Sequence, residues 1–416
     1  MDDLFTKTMD RTNTLRNAGY NVVEVWSCEW KKSRAYKEAL NKTINVVEPL
    51  MPRDAFFGGR TNAAKLKATA KIMRYIDICS LYPTVMFYDT YPVGHPLKIF
   101  KPVEYNKEWF GLVKCQVLSP KGLYHPVLPI KQEQLVFALC VRCAEEKVGH
   151  CNHTDEDRAF AGTWSTVELN KAIEKGYKIL ETYEVWHFPQ TSNDLFKDYI
   201  RTFMKIKLEA SPWEDDFETK EEYVQTIKEK QGIELDIERI EPNPGKRAVA
   251  KICLNSLWRK FGQGQNLTQS EFTTDPQRWY ELLLDDKIEI SNVIFINEDM
   301  IEVSYKYTNE YIEDSTATNI FIAAFTTSNA RIRLYEMLDR LGDKVVYYDT
   351  DSVVYIDDGT NTVETGCMLG EWTDELGKDD TIIEWLSTAP KSYAYYSHKG
   401  SQCTKVKGFS LNYENS

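Results

Sequence analysis

Residues 345–356 read VVYYDTDSVVYI, in which two apolar, β-prone runs flank Asp349, Thr350, Asp351 and Ser352. This pattern is typical of a β-hairpin whose turn carries the four polar residues. Two aspartates held this close repel each other and lose solvation, so a bound divalent cation is one reason to keep them together. An exposed acidic turn with ordinary Asp and Ser turn chemistry is the alternative interpretation.

A further acidic residue, Asp77, stands inside the apolar run YIDICSLYPTVM at residues 75–86. A charge is costly to bury in such a strand-like segment, which Pro83 then ends. Neutralisation by Arg74 would explain Asp77 in purely structural terms. A strand-borne Asp and a hairpin Asp brought together could instead hold two Mg²⁺ ions roughly 3.5 to 4 Å apart for phosphoryl transfer.

A basic segment lies between these acidic ones, because residues 246–264 contain five basic side chains and no acidic one. At 100° per residue, residues 244–264 predict a helix with a buried face and a cationic face. Cations at i, i+4 suit a triphosphate and a neighbouring aromatic suits a base, although an ordinary amphipathic surface helix has the same pattern. The expected buried face comprises Val249, Ile252, Cys253, Ser256 and Leu257, and the expected cationic face Arg247, Lys251, Asn255 and Trp258.

The remaining sequence predicts a mixed α+β protein. Strands are expected at 20–26 and 72–78, and helices at 193–208 and 318–341. The chain of 416 residues is long enough for more than one globular unit. Its net charge of -12 would argue against nucleic acid as a partner only if the charge were spread evenly over the surface. Much of the negative charge lies in segments such as the acidic run at 214–222, which is typical of a solvated face.

Nine cysteines and no signal-like or membrane-spanning apolar stretch indicate a reduced, intracellular protein without a membrane partner. Four residues, Cys140, Cys143, Cys151 and His153, have a spacing that resembles a structural zinc site, with His150 as a competing ligand. Reduced cysteines without a metal are the alternative.

Three segments, in order, resemble motifs of the family B DNA polymerases. DICSLYP at 77–83 resembles motif A, KICLNSLW at 251–258 motif B, and YYDTDS at 347–352 motif C. AFFGGRTNA at 55–63 resembles the YxGG element, and KSY at 391–393 the KxY element. The wording around 22–30 and 52–63 is similar to the protein-primed branch found in Maverick/Polinton transposons, linear plasmids and viruses.

The resemblance implies a right-hand polymerase with an antiparallel palm sheet, helical fingers, two insertions of the protein-primed type and a truncated thumb. It implies template-directed addition of dNTPs to a primed DNA template with two Mg²⁺ ions, and a terminal priming protein as a further partner. The implied regions are 1–70 (exonuclease edge and YxGG-like linker), 71–240 (first palm part with insertion), 241–265 (fingers helix), 266–310 (second insertion), 311–400 (second palm part) and 401–416 (start of the thumb).

The same resemblance implies a role for individual side chains. Asp77 and Asp351, with the backbone of Ile78, would bind the metals, and Asp349 would support the primer end. The nucleotide would be contacted by Ser80, Leu81, Tyr82, Arg247, Lys251 and Asn255, with Tyr82 excluding a 2′-hydroxyl. The primer and template would be contacted by Gly58, Gly59, Trp258, Thr350, Lys391 and Tyr393.

One position departs from the family pattern, because Arg259 stands where the family has Gly after the motif B aromatic. A Cβ and a long cation there reduce the space for the nascent base pair. We also expect no proofreading from this chain, which begins too late to include an exonuclease domain. A catalytically dead DNA-binding remnant is therefore the alternative to an active polymerase, and a metal-dependent nuclease is a weaker third interpretation.

Overall fold

The computed structural model describes residues 2–40, 47–212, 217–312, 317–377 and 379–408. The chain divides into two compact units, Met1–Pro49 and Leu50–Ser416. Part of the predicted acidic run, at 214–216, and most of the segment expected to begin the thumb, at 409–416, lie outside the described residues.

The structure is built from helices and antiparallel strands. The α-helices of the described residues are α1 (Asp2–Asn17), α2 (Ser27–Trp30), α3 (Arg34–Leu40), α4 (Leu81–Tyr88), α5 (Val141–Glu146), α6 (Asp155–Arg158), α7 (Thr166–Glu174), α8 (Lys197–Glu209), α9 (Lys220–Gln231), α10 (Pro244–Phe261), α11 (Pro276–Leu284) and α12 (Ile320–Leu341). The strands are β1 (Thr61–Ala63), β2 (Lys67–Ile78), β3 (Tyr91–Val93), β4 (Leu97–Phe100), β5 (Gly111–Leu118), β6 (Ile130–Lys131), β7 (Leu135–Val136), β8 (Phe160–Ser165), β9 (Lys178–His187), β10 (Gln190–Ser192), β11 (Gln269–Thr273), β12 (Ile288–Phe295), β13 (Ile301–Tyr307), β14 (Val345–Asp349), β15 (Ser352–Ile356), β16 (Trp372–Asp374), β17 (Ile382–Ala389), β18 (Ser392–Ser397) and β19 (Gln402–Lys405).

The first unit, Met1–Pro49, contains α1, α2 and α3. The strand predicted at 20–26 is wrong, because these residues form no strand. Val23 and Val25 are 80% and 61% exposed, and the described part of this unit offers no strand to pair with them. β-branched side chains favour a strand only where a neighbour supplies hydrogen bonds and packing.

The second unit is built around an eight-stranded antiparallel sheet in the order β1-β14-β15-β2-β17-β18-β19, with β16 pairing to β2. The predicted hairpin is confirmed, since β14 and β15 pair with Asp349 opposite Ser352. β15 also pairs with β2, and its Ser352 lies opposite Asp77. The sheet therefore places the two predicted acidic segments side by side.

At β14 and β15 both faces of this sheet are buried. On one face, α12 packs Leu334 and Leu338 against Ile76 and Val353. The opposite face forms a separate apolar cluster that includes Trp385. A shift in register between Val345 and Tyr347 marks an irregularity in β14 that changes which side chains share a face. Burial on both sides explains why this hairpin reads as two continuous apolar runs.

The predicted basic helix is α10, but its buried face differs from the one expected. Ala250, Leu254 and Trp258 are buried, whereas Val249 and Ile252 are 61% and 65% exposed. Residues four apart lie on one helix face, and this line packs in the cluster that includes side chains of α4, α8 and α12. The helical periodicity predicted the polar face of α10 correctly for Arg247, Lys251 and Asn255 but assigned the buried Trp258 to it wrongly.

Two smaller sheets are inserted between segments of the chain that belong to the large sheet or to α10 and α12. The segment between α4 and α10 contains a four-stranded sheet in the order β4-β9-β5-β8. The segment between α10 and α12 contains a three-stranded sheet in the order β11-β13-β12. Among the described residues, no helix combines the length and apolar character that crossing a bilayer would require.

Candidate active site

The floor of the candidate site is the point where β2 ends. The N–H of Ile78 donates to the carbonyl of Asp351 at 2.7 Å, which joins the strand to the hairpin turn. Ser80 then adopts φ 57° and ψ 57°, a left-handed conformation that turns the chain directly into α4. Asp77 is therefore held three residues before a sharp reversal, beside the hairpin aspartates.

The hairpin turn is held by backbone contacts on both sides. Thr350 has a positive φ of 57°, and its N–H donates to the carbonyl of Arg60 at 2.8 Å. Asp349 receives hydrogen bonds from the hydroxyls of Thr61 at 2.8 Å and Thr350 at 3.0 Å. Gly59 lies so close that an added Cβ would approach the Thr350 side chain to 2.7 Å. The turn and the glycine loop are thus in direct contact.

The two aspartates expected to bind metal are held in a strongly negative environment. Burial, and then the Asp351 and Glu375 carboxylates, raise the pKa of Asp77 to about 8. Burial, and then Asp349, raise the pKa of Asp351 to about 6. Within the described residues, neither Asp77 nor Asp351 has an ion-pair partner; Arg74 instead pairs with Asp357 at 2.6 Å. Clustered, unpaired carboxylates of this kind fit divalent cations.

The wall opposite these carboxylates is the polar side of α10. Arg247, Lys251 and Asn255 line the same cleft as Asp77 and Asp351, and the cleft has a volume of about 960 Å³. Lys251 lowers the pKa of Asp77 by its charge, although burial has the larger and opposite effect. The cleft therefore has an acidic floor and a cationic wall, which together suit a metal-bound polyphosphate.

A stacked aromatic pair also lines the cleft. The Tyr82 and Trp258 rings stack with centroids 4.5 Å apart and planes inclined by 24°. Burial raises the pKa of Tyr82 to about 12, so the hydroxyl stays neutral. Arg259 is exposed, and its guanidinium lies 5.5 Å from the Trp258 ring. The predicted departure from the family pattern is thus directly next to this pair.

The far end of the cleft is formed by β17 and β18. Lys391 Nζ lies 2.8 Å and 2.9 Å from the two carboxylate oxygens of Asp349. The Lys391 backbone has a φ of 62°, and its N–H donates to the Tyr347 hydroxyl at 2.9 Å. The hydroxyls of Tyr393 and Tyr75 lie 3.2 Å apart. The KSY segment is therefore joined to the acidic turn.

The structure brings nearly all of the residues predicted for the polymerase site together. Gly58 is the exception, because it does not line the cleft and its carbonyl accepts a hydrogen bond from Arg331 at 2.9 Å. The predicted residues that do line the cleft are Gly59, Asp77, Ile78, Ser80, Leu81, Tyr82, Arg247, Lys251, Asn255, Trp258, Asp349, Thr350, Asp351, Lys391 and Tyr393.

Three charged cleft residues were not predicted. Lys207 of α8 donates to the Ser80 hydroxyl at 2.9 Å, across 127 positions of sequence. Glu375 follows β16, and its N–H donates to the carbonyl of Tyr75 at 2.9 Å. Lys405 is the last residue of β19, and its ammonium lies 5.5 Å from the Tyr393 ring. Because β19 pairs with β18, this part of the segment expected to begin the thumb extends the large sheet. No local pattern marks these residues, because each reaches the cleft through long-range packing.

The predicted cysteine and histidine cluster also forms, apart from the cleft residues. Cys140, Cys143, Cys151 and His153 place their ligand atoms within 4.8 Å of one another. His150 is not a member of this group.

A family model described as DNA polymerase type B, organellar and viral, matches residues 51–342. The chain belongs to this family. The family predicted from the motifs is thereby confirmed. The match ends before the hairpin that carries Asp349 and Asp351, so the place of these two residues in the site rests on the sheet register described above.

Two relatives of this type B polymerase chain are much longer than the chain. A protein named probable DNA polymerase from Ascobolus immersus is 25% identical over 373 residues, which make up 86% of this chain and 25% of that protein. The DNA polymerase of Streptococcus phage Cp-1 is 26% identical over 280 residues, covering 67% of this chain and 38% of its own length.

Solved structures confirm the right-hand polymerase fold. Phi29 DNA polymerase complexed with primer-template DNA superimposes with a TM-score of 0.56 at 18% identity, covering 88% of this chain and 56% of that one. Its complex with primer-template DNA and incoming nucleotide gives a TM-score of 0.54 at 15% identity, covering 92% of this chain and 61% of that one.

Proposed function

We propose that this chain is the catalytic core of a DNA-directed DNA polymerase that adds dNTPs to the 3′-OH of a primed template. The observation that carries the proposal is the joining of Asp77 and Asp351, from different segments, opposite Arg247, Lys251 and Asn255 of α10 in one cleft. A metal-dependent nuclease needs the carboxylates but has no use for this cationic wall.

The two cofactor ions are proposed to be Mg²⁺, held by Asp77, Asp351 and the backbone of Ile78. The raised pKa values of the two carboxylates support this assignment, since their mutual repulsion is relieved when a cation binds. When bound, such ions neutralise phosphate charge and favour ionisation of the attacking hydroxyl.

In the proposed reaction the primer 3′-oxygen attacks the α-phosphorus of the dNTP. A P–O bond forms to the primer, the bond from the α-phosphorus to the bridging oxygen breaks, and pyrophosphate leaves while the 3′-hydroxyl proton is lost. Lys251 and Arg247 hold the phosphates, and Asn255 helps to orient the nucleotide. The protein side chains would thus accelerate the reaction by positioning the reactants and by stabilising charge on the phosphates.

The aromatic pair and the KSY segment are proposed to position the sugar and primer. Tyr82, braced by its stack on Trp258, would stand under the sugar and exclude a 2′-hydroxyl. Lys391 would reach the primer terminus from its place on Asp349, and Tyr393 would contact the primer strand beside it. Ser80, Leu81, Gly59 and Thr350 would form the adjoining backbone walls.

Protein-primed replication of a mobile or viral-type element, with a terminal protein as partner, is proposed as the setting. The support is the resemblance of the motif wording together with the two inserted sheets, one between α4 and α10 and one between α10 and α12. We likewise propose that the chain is divided into palm, fingers and thumb regions as the resemblance implies.

The deciding experiment is primer extension with Asp351→Asn. We expect incorporation to fall by several orders of magnitude, since metal charge stabilisation contributes several kcal/mol at the transition state. Binding of primed DNA should change little. Asp343→Asn, at an exposed position in the short 3-10 helix before β14, is the matched control and should retain parental activity.

An Asp351→Asn variant that extends primers near the parental rate would contradict the proposed site. A parent chain that binds primed DNA without extending it would instead favour the catalytically dead remnant.

A further inference from the structure

The segment between β5 and β8 gathers three thiols around one imidazole nitrogen. His153 Nδ1 lies 3.5 Å from Cys140 Sγ, 3.3 Å from Cys143 Sγ and 3.8 Å from Cys151 Sγ. Cys140 caps α5, so Cys143 follows within the first turn. Lys147 then adopts φ 55° and ends the helix, which returns the chain toward the two thiols. Residues close together in sequence therefore bring the four ligand atoms to one point.

These separations match a tetrahedral zinc site. With Zn–S of about 2.3 Å and Zn–N of about 2.0 to 2.1 Å, a tetrahedron has S···N edges of roughly 3.6 Å. A disulfide would join two thiols and leave the third and the imidazole without a common centre. Three thiolates and one imidazole select Zn²⁺ over the oxygen-preferring ions proposed for the cleft.

The other nitrogen of His153 supplies independent support. Its Nε2 lies 3.3 Å from a carboxylate oxygen of Glu146, the last residue of α5. Zinc-binding histidines commonly donate their second N–H to a carboxylate, which fixes the tautomer and the ring orientation. Nδ1 is then free to face the thiols. The Glu146 contact thus orients His153 as a ligand.

The residues that precede the cluster pack on a buried cation. The Phe137 ring lies 4.3 Å from the guanidinium of Arg60, which is 1% exposed. No carboxylate pairs with Arg60 in the described residues; Tyr348 at 5.3 Å and a hydrogen bond to the Pro126 carbonyl at 2.6 Å are among its other contacts. Aromatic faces stabilise a desolvated cation, so Arg60 depends on the position of Phe137.

Arg60 in turn holds the hairpin turn, because its carbonyl accepts the N–H of Thr350 at 2.8 Å. The residues that follow the cluster are also anchored: Arg158 donates to the carbonyls of Ser119 at 2.9 Å and Pro120 at 3.2 Å. We propose that Cys140, Cys143, Cys151 and His153 bind one structural Zn²⁺ that fixes Phe137 on Arg60 and so supports the turn between Asp349 and Asp351.

The metal content of the purified 416-residue chain tests the site without reference to DNA, so its outcome is independent of the proposed polymerase activity. We expect about one zinc per chain by elemental analysis, and thiolate-to-metal absorption when Co²⁺ alone is added to the demetallated chain. Cys151→Ser should lose the metal, whereas Cys28→Ser, also an exposed cysteine, should retain it. A parent chain with neither zinc nor cobalt–thiolate bands would overturn the proposal.

A second pair of variants tests the orientation of His153. Glu146→Gln should weaken zinc binding roughly 10- to 100-fold. Glu145→Gln changes the neighbouring exposed carboxylate and should bind zinc like the parent. Equal zinc affinity in both variants would contradict the assigned role of Glu146.

Amide hydrogen exchange tests what the metal supports, and the parent chain with zinc removed and restored avoids any folding defect of a variant. Removal should accelerate exchange at residues 137–153 and at Thr350, while β2 stays protected. Readdition of Zn²⁺ should restore the slow rates. Zinc binding without a change at Thr350 would overturn the link to the turn.

Discussion

Under the proposed function, Arg259 occupies a position where the size of the side chain would affect catalysis. Its guanidinium lies 5.5 Å from the Trp258 ring, and it lines the cleft beside Tyr82. The space in front of Trp258 is where a nascent base pair would settle under the proposed function. A displacement of about 1 Å at a reacting centre can cost a hundredfold in rate, so Arg259 can be harmful without disturbing the fold.

We predict that Arg259→Gly raises the rate of primer extension. The substitution costs about 1 kcal/mol of helix propensity, so the gain would appear despite a lower stability. Lys260→Gly, at the next exposed position of α10, carries the same propensity cost and should bring no gain. Extension rates at matched folded concentration provide the measurement.

An alternative role for Arg259 gives a different result. If its guanidinium binds a template phosphate, Arg259→Gly would weaken DNA binding and reduce its salt dependence. Equal or slower extension by this variant would show that the arginine is tolerated in the cleft.

At the scale of elements, the acidic turn depends on the glycine loop before β1. Gly58 and Phe57 offer their carbonyls to Arg331 of α12, whose guanidinium also pairs with the buried Glu168 at 2.8 Å. This ion pair is buried but satisfied by hydrogen bonds, and loss of one partner would leave an uncompensated charge. The loop is thereby held against α12 while Gly59 touches Thr350.

Gly59→Ala should lower activity because its Cβ would meet the Thr350 side chain at 2.7 Å. Relief requires Thr350 to move and to give up its hydrogen bond to Asp349, and overpacking of this kind typically costs about 1 to 3 kcal/mol. Gly58→Ala is the matched control, since an added Cβ there meets nothing within 4 Å. Thermal unfolding and primer extension would be measured for both.

A different result would reveal a different use of the two glycines. If close approach of DNA to the backbone is what they serve, both variants should lose DNA affinity to a similar extent. The contact between Gly59 and Thr350 would then not be the deciding one.

At the scale of the whole molecule, the cleft carboxylates link the stability of the folded chain to pH. Asp77 and Asp351 have pKa values of about 8 and about 6 in the folded chain, above the ordinary value of 3.8. The folded state therefore binds more protons than the unfolded state across this window. The metal-free chain should lose stability as pH rises from about 4 to about 8.

Asp77→Asn should remove much of this penalty. Without metal, we expect the variant to melt a few degrees above the parent at pH 8 and close to it at pH 4, given about 1 °C per kcal/mol for a chain of this size. Mg²⁺ should raise the melting temperature of the parent more at pH 8 than at pH 5, and affect the variant less. Identical pH profiles for parent and variant would contradict the assigned environment of Asp77.

Local pattern was sufficient for the hairpin, β2, α10 and α12. The hairpin was predictable because its two apolar runs, buried on both faces, are separated by a turn of four polar residues. Asp77 was recognisable because a charge inside an apolar strand requires a partner or a cation. The order of the three motifs was sufficient to predict the family.

Tertiary packing alone decided what local pattern could not express. Trp258 lies on the buried side of α10 because α8, α4 and α12 pack there. A helical wheel is drawn from one segment and does not show which other helices pack against it. Residues 20–26 have strand-like composition but no partner strand in the described part of their unit. Lys207 and Glu375 enter the cleft from elements far away in sequence. Composition and periodicity describe what one segment prefers, whereas burial and charge in the cleft depend on which segments meet.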